Sequence, residues 1–144
     1  MKDEFLVFTM LGILYGVRLE KVREILTYEN SITPLPSNPA WVLGVINLRG
    51  EITPVIDLRR KFASGSCLYD AETIVVALKL EGDRMVAIVV DTIENIVQID
   101  MKDAQHTSDI GSTLDPRYLD GLVKVGNDMV SLLNIDVLLG IDEI

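Results

Sequence analysis

Short apolar segments, broken by turn residues at regular intervals, dominate the chain, and their residue types favour strands over helices. Phe5-Leu6-Val7-Phe8-Thr9-Met10 predicts a strand, Leu11-Gly12 a turn, and Ile13 to Val17 the returning strand of a hairpin. The period then changes. Leu19, Val22, Ile25 and Leu26 follow at spacings of three, three and one, which places them on one face of a short helix or helical turn from about Arg18 to Glu24. Thr33 to Pro39 contains three prolines in seven residues. Each lacks an N–H and drives the residue before it toward extended backbone, so this stretch is an extended loop.

Beyond a short turn-like entry at Ala40 to Leu43, Gly44 to Leu48 and Ile52 to Leu58 predict a second hairpin across Arg49-Gly50-Glu51, with Pro54 marking an edge or a bulge. Ala63 to Ser66 is a loop. Thr73 to Leu80 and Arg84 to Asp91 form a third hairpin around Glu81-Gly82-Asp83, and Ile93, Ile96, Val97 and Ile99 extend the apolar signal. Asp100 to Asp115 is polar and poorly periodic, a linker or surface loop. Gly121 to Val125 and Met129 to Leu133 form the last hairpin, after which Asn134 caps a short helix through Leu139 with Gly140 as its stop.

The hairpins repeat. Gly44 to Leu58 aligns without a gap on Gly121 to Ile135, and the apolar positions keep their class except at Pro54 and its neighbour. At a second constant offset, Tyr15-Gly16-Val17 with Glu20, Val22 and Ile25 matches Val86-Ala87-Ile88 with Asp91, Ile93 and Ile96. Two similar small barrels, approximately residues 1–70 and 71–144 with strands open to exchange, explain this economically; similarity among unrelated hairpins is the alternative. Either half alone has a marginal core, so shared packing is expected.

Charge narrows the function classes. With 13 basic and 22 acidic residues the formal net charge is -9, which repels phosphate backbones and anionic lipid surfaces. Nucleic acid is therefore an unsuitable partner. Cys67 is the sole cysteine and His106 the sole histidine, so one chain makes no disulfide and no Cys/His zinc site, and a reducing, cytoplasmic setting is expected. The apolar run Phe5 to Leu14 follows Met1-Lys2-Asp3-Glu4, which is acidic where a signal peptide is basic. No apolar run nears the roughly 18 residues that span a bilayer, so membrane insertion is not expected.

The opening Glu4 to Phe8, the segment Tyr15-Gly16-Val17 leading to Val22-Arg23-Glu24-Ile25, and above all Gly44-Val45-Ile46-Asn47-Leu48-Arg49-Gly50-Glu51-Ile52-Thr53-Pro54-Val55-Ile56-Asp57-Leu58-Arg59 resemble the CheW family of chemotaxis coupling proteins across essentially the whole chain. The resemblance implies a mainly β fold: one CheW-like domain over residues 1–144, built of two small five-stranded, SH3-like β-barrel subdomains packed together with a few short helices. It also implies a non-enzymatic adaptor that couples the cytoplasmic tips of chemoreceptors to the histidine kinase CheA in signalling arrays. The same domain occurs within CheA and CheV, but 144 residues leave no room for a kinase or receiver domain, so a freestanding adaptor is expected. An adaptor of a non-chemotactic two-component array is the alternative. Trp41 and the loop Ala63 to Asp70 depart from the family pattern and bear on partner specificity.

Residue chemistry agrees with a scaffold. Neither G-x-x-x-x-G-K-[ST] nor G-x-G-x-x-G occurs, so nucleotide binding has no carrier and no cofactor is expected. His106 lies in a polar loop and reads as a solvated residue rather than a catalytic one, and Cys67 as an inert loop thiol. Asp100, Asp103, Asp109 and Asp115 lack the spacing of a calcium loop and read as an acidic surface. The singled-out pair is Glu24 and Arg49, positions that the resemblance assigns to coupling: a salt bridge between the helical turn and the hairpin tip is expected, against two independent exposed charges. Val22, Ile25, Val45 and Val89 are candidates for an apolar groove between the barrels that takes a receptor helix, with plain core packing as their commoner fate. Gly44, Asn47, Leu48 and Gly50 complete the expected partner-binding set, the CheA regulatory domain being expected near the Leu48 to Val55 hairpin. A small-ligand barrel is the rival, but one Trp, four Tyr and three Phe leave little for an aromatic mouth once Phe5, Phe8 and Tyr15 enter the core. An enzyme requires convergent titratable groups that the pattern does not supply.

Overall fold

A computed structural model describes residues 2–28, 32–34, 41–62, 69, 72–105 and 116–139. In chain order the elements are β1 (Lys2–Met10), β2 (Ile13–Arg18), β3 (Val22–Thr27), β4 (Thr33–Pro34), β5 (Val42–Leu48), β6 (Glu51–Ile56), α1 (Leu58–Phe62), β7 (Ile74–Lys79), β8 (Met85–Val90), β9 (Thr92–Asp100), β10 (Leu119–Val125), β11 (Asp128–Leu133) and α2 (Ile135–Leu138). Single 3-10 turns occur at Leu19–Lys21, Glu81–Asp83, Met101–Asp103 and Pro116–Tyr118. Among the described residues, no helix is long and apolar enough to cross a membrane.

The chain divides into two compact units, Met1–Lys21 with Ile93–Ile144, and Val22–Thr92. This replaces the expected division into halves 1–70 and 71–144. The physical reason is strand pairing: the opening hairpin β1–β2 joins the closing strands, in the order β10-β11-β2-β1-β9, while the middle of the chain forms its own sheet, β3-β7-β8-β6-β5-β4.

In the first unit β11 runs parallel to β2, with Leu132 opposite Gly16. Side chains at Phe5, Val7, Ile99, Val123, Val130 and Leu132 make its core. Asn134 caps α2 as expected, its side-chain oxygen accepting the Val137 N–H at 3.2 Å. Lys21 then ties the helix down through Asp136 at 3.2 Å. Past β9, the Asp100 carboxylate accepts the Lys102 N–H at 3.1 Å, which holds Asp100 below the usual carboxylate range. Gln105 exchanges two backbone hydrogen bonds with Leu122, so the start of the expected surface loop is paired. His106 to Asp115, Gly140, Cys67 and the loop Ala63 to Ser66 lie outside the described residues.

The second unit repeats this pattern with one strand more. Val55 on β6 runs parallel to Ala87 on β8, the counterparts of Leu132 and Gly16. Hairpin β5–β6 carries its register shift between Val42 and Gly44, and hairpin β10–β11 carries the matching one between Leu119 and Gly121. Ile46, Leu48, Val55, Val75, Ala77, Ala87 and Val89 form the core. The sheet has six strands rather than the expected five because Thr33 and Pro34 pair with Val45 and Gly44. β7 and β8 are buried on both faces, which is why they read as continuous apolar runs.

Three further expectations are corrected. The helical turn expected over Arg18 to Glu24 is a 3-10 turn that ends at Lys21, and Val22 begins strand β3. Its alternation is inverted at the centre: charged Glu24 takes an inward position and apolar Ile25 an outward one, so the period of two was hidden. Second, the strand expected to reach Leu58 stops at Ile56, and Leu58 opens α1 under an Asp57 cap, the counterpart of Asn134. Third, Pro54 stands on an interior strand, not an edge. The parallel ladder there starts just after it, at Val55, whereas the equivalent Ser131 pairs with Tyr15.

Candidate functional site

Hairpin β5–β6 closes through the two-residue turn Arg49-Gly50, with Leu48 opposite Glu51. Both turn residues have positive φ, 51° at Arg49 and 87° at Gly50, as a type I′ turn requires. Glycine or asparagine is the usual residue at the first of these positions, and a side chain with a Cβ is held there at a cost of about 1–2 kcal/mol. The Asn47 side-chain oxygen accepts the Gly50 N–H at 2.9 Å across this turn.

Glu24 reaches the same place from β3. A bulge between Val22 and Glu24, opposite Leu78 and Ala77, turns the strand locally and re-aims the carboxylate. Arg49 Nε lies 3.9 Å from Glu24 Oε2, with the guanidinium side chain 85% exposed and the carboxylate side chain 33% exposed. The expected ion pair is therefore present, although from a strand rather than from a helical turn. At this distance it is a charge contact without a hydrogen bond.

A cleft of about 430 Å³ opens beside the pair. Leu48 and Met85 supply its apolar lining, and Arg23, Arg49 and Lys79 line it together with Glu24, Glu51 and Asp83. Lys79 binds Asp83 at 2.9 Å and holds that carboxyl below its ordinary range. The first unit has the equivalent cleft, about 380 Å³, where Glu94 replaces Arg23 and Gly126 replaces Arg49. Only acidic and neutral residues line that one. The repeat thus preserved the shape and changed the charge.

Other expected site residues are placed differently. Val89 has no exposed surface and belongs to the core, so it is corrected from partner contact to packing: a side chain sealed among Ile46, Val55 and Val75 meets no partner. Gly44 is likewise structural, because β4 lies directly over it, and a Cβ there would stand 2.1 Å from the Thr33 carbonyl oxygen. Leu48 shares its side chain between the core and the cleft. Val22 and Val45 are half-buried, and Ile25 is 48% exposed on the outward side of β3.

One cluster escaped the sequence reading. Arg59 grips Asp57 with two hydrogen bonds of 3.0 Å, from Nε to Oδ1 and from Nη2 to Oδ2, and reaches Asp91 through Nη1 at 2.5 Å. The Tyr69 hydroxyl donates to Asp57 Oδ2 at 2.5 Å, and its ring stacks on Tyr28 with centroids 4.6 Å apart. Asp57 is fully buried. Burial alone would lower the Arg59 pKa, but the hydrogen bonds and charges of Asp57 and Asp91 outweigh it and hold the guanidinium firmly protonated. A carboxylate and a guanidinium two residues apart at the end of an apolar run were the available signal.

Tyr69 makes the cluster sensitive to alkali. Burial first, then the hydrogen bond to Asp57, push its phenol above the ordinary tyrosine range. The folded state thus holds this proton more tightly than the unfolded chain, whose tyrosines ionise near ~10, and the stabilisation is lost as pH climbs past that value. Urea unfolding followed from about pH 9 to about 11.5 should show falling stability, with a shallower fall in Tyr69→Phe. Tyr15, also pushed up by burial, contributes equally to both proteins, so equal slopes would refute the assignment.

The model of the CheW-like domain family matches residues 4–143, nearly the whole chain. The chain belongs to the CheW-like family. Among curated proteins, the chemotaxis protein CheW of Klebsiella aerogenes is 38% identical over 141 residues, covering 98% of this chain and 84% of that protein. FrzA of Myxococcus xanthus is 31% identical over 96% of this chain and 86% of its own length. The crystal structure of the scaffolding protein TtCheW from Thermoanaerobacter tengcongensis superposes with a TM-score of 0.85 at 26% identity, covering 100% of this chain and 92% of that one. As a CheW-family member, the chain is a non-enzymatic scaffold of the chemotaxis type, with the mainly β fold of that family.

Proposed function

We propose that this CheW-family chain is a cytoplasmic adaptor that holds the helical tip of a chemoreceptor beside the regulatory domain of the kinase CheA, with the Arg49–Glu24 cleft as a docking surface. The observation that carries this reading is Arg49 itself: exposed, held at a positive φ that costs stability, and replaced by glycine in the equivalent hairpin. Leu11 and Asp83 also hold a positive φ, so what singles Arg49 out is the combination of that strain with an exposed cation and an adjoining cleft. The cleft offers recognition rather than bond chemistry: apolar surface from Leu48 and Met85 orients a partner helix while the cations and carboxylates that line the cleft select its polar face. Ile25, exposed on the outward side of β3, and half-buried Val22 and Val45 lie outside the lining of the cleft. Weak single contacts suffice, because an array multiplies them through avidity.

The test is kinase activity in a mixture of chemoreceptor fragment, CheA and this protein, where activation should require all three. Arg49→Ala should raise the concentration for half-maximal activation at least tenfold. Its thermal unfolding should change little, since an exposed pair contributes only ~0.2–1 kcal/mol. Normal activation by Arg49→Ala, or a large loss of folding stability with unchanged activation, would refute the reading.

A further inference from the structure

The turn that presents Arg49 has its own control inside the chain. In hairpin β10–β11 the residue at the place of Asn47 is Lys124, and the residue at the place of Arg49 is Gly126. Gly126 adopts φ 63°, a conformation that glycine enters at no steric cost. That turn therefore needs no support. In hairpin β5–β6 the first turn residue is Arg49 at φ 51°, and the second, Gly50, also has a positive φ of 87°, unlike its counterpart Asn127. There the side chain three residues before Gly50 is Asn47, and its oxygen accepts the Gly50 N–H at 2.9 Å. The strained arginine and the bracing asparagine occur together in hairpin β5–β6, and neither occurs in hairpin β10–β11; the β1–β2 turn holds Leu11 at φ 54° before Gly12, with Thr9 at the place of Asn47.

Asn47 is exposed on β5 opposite Ile52, which is itself 68% exposed, so core packing does not explain an asparagine there. Its acceptor is spent on the turn. A short polar side chain that satisfies a backbone donor within its own loop restricts the turn locally, as capping residues do for helices. With the turn so restricted, the guanidinium is presented on the side of the hairpin where Glu24 lies, 3.9 Å away.

We infer that Asn47 is a positioning residue: its side-chain oxygen braces the Arg49-Gly50 turn in the conformation that aims Arg49 across the cleft, and it acts on a partner only through Arg49. The inference rests on the reading of Arg49 as a partner contact. It removes Asn47 from the residues that touch the partner.

Two readouts on the full chain test it: hydrogen exchange at the Gly50 amide, and the concentration for half-maximal activation in the three-component kinase assay. Asn47→Ala and Asn47→Lys should each speed Gly50 exchange and raise the activating concentration by about fivefold, the loss expected for one hydrogen bond. Asn47→Asp keeps the accepting oxygen and should restore both readouts, while the melting temperature of the other two should fall by only a few degrees, as the loss of one hydrogen bond predicts. Beside Arg49→Ala, Asn47→Ala should add no further loss of activation. Unchanged Gly50 exchange in Asn47→Ala would overturn the brace. Loss of activation that adds in full to that of Arg49→Ala would overturn the indirect route, making Asn47 a direct contact. If Asn47→Ala speeds exchange while Arg49→Ala activates normally, the docking reading has failed, and the role assigned to Asn47 in docking falls with it.

Discussion

Replacing Arg59 by methionine should cost about 3–5 kcal/mol of folding stability. The variant keeps most of the side-chain length but leaves the fully buried Asp57 carboxylate with only the Tyr69 hydroxyl at 2.5 Å and the residue 59 N–H at 2.9 Å. Two hydrogen bonds without the cation do not offset the desolvation of that charge. Chemical denaturation should register the loss as a lower midpoint, and thermal unfolding as a fall of roughly 10 °C or more. Asp57→Asn together with Arg59→Met should be more stable than Arg59→Met alone, because asparagine retains the acceptor and removes the stranded charge. A cost below about 1 kcal/mol for Arg59→Met, or a double variant no better than the single one, would show that Asp91 and solvent rather than Asp57 account for the place of Arg59.

Gly44→Ala should destabilise the second unit by about 2–3 kcal/mol. The added Cβ would lie 2.1 Å from the Thr33 carbonyl oxygen, 2.9 Å from its carbon and 3.0 Å from Pro34 Cα. All three are backbone atoms, so no rotamer change relieves the clash. The strand must shift or β4 must leave β5, and hydrogen exchange at Thr33 and Val45 should rise together. Gly50→Ala is the comparison: nothing lies within 4 Å of its Cβ, and only the positive φ of 87° resists it, at about 1 kcal/mol. Equal costs at Gly44 and Gly50 would mean that β4 does not press on β5.

Much of the fold was legible before any coordinates. Hairpins announced themselves by alternation and by turn residues, so β1–β2, β5–β6, β7–β8 and β10–β11 lie where the pattern predicted them. The repeat was visible because equivalent positions carry equivalent packing duties, down to matching register shifts before Gly44 and Gly121. Strand β3 was misread for the opposite reason: charged Glu24 stands at an inward position and apolar Ile25 at an outward one, so side-chain polarity runs against burial and hides the period of two. The Arg49–Glu24 pair was legible through family resemblance. The Asp57–Arg59–Asp91–Tyr69 cluster was not, since Tyr69 and Asp91 come from stretches of chain separate from the one that holds Asp57 and Arg59.

Local sequence alone determined the four hairpins and their turns, the capped last helix and the kinship of the two repeats, because each rests on neighbouring residues and on side-chain periodicity. Tertiary structure decided which strands join which sheet, that Val89 and Gly44 serve packing, and that Arg59 neutralises Asp57. Those outcomes depend on residues far apart in the chain meeting in space: loop closure allows many pairings of the same hairpins, and only mutual burial selects among them.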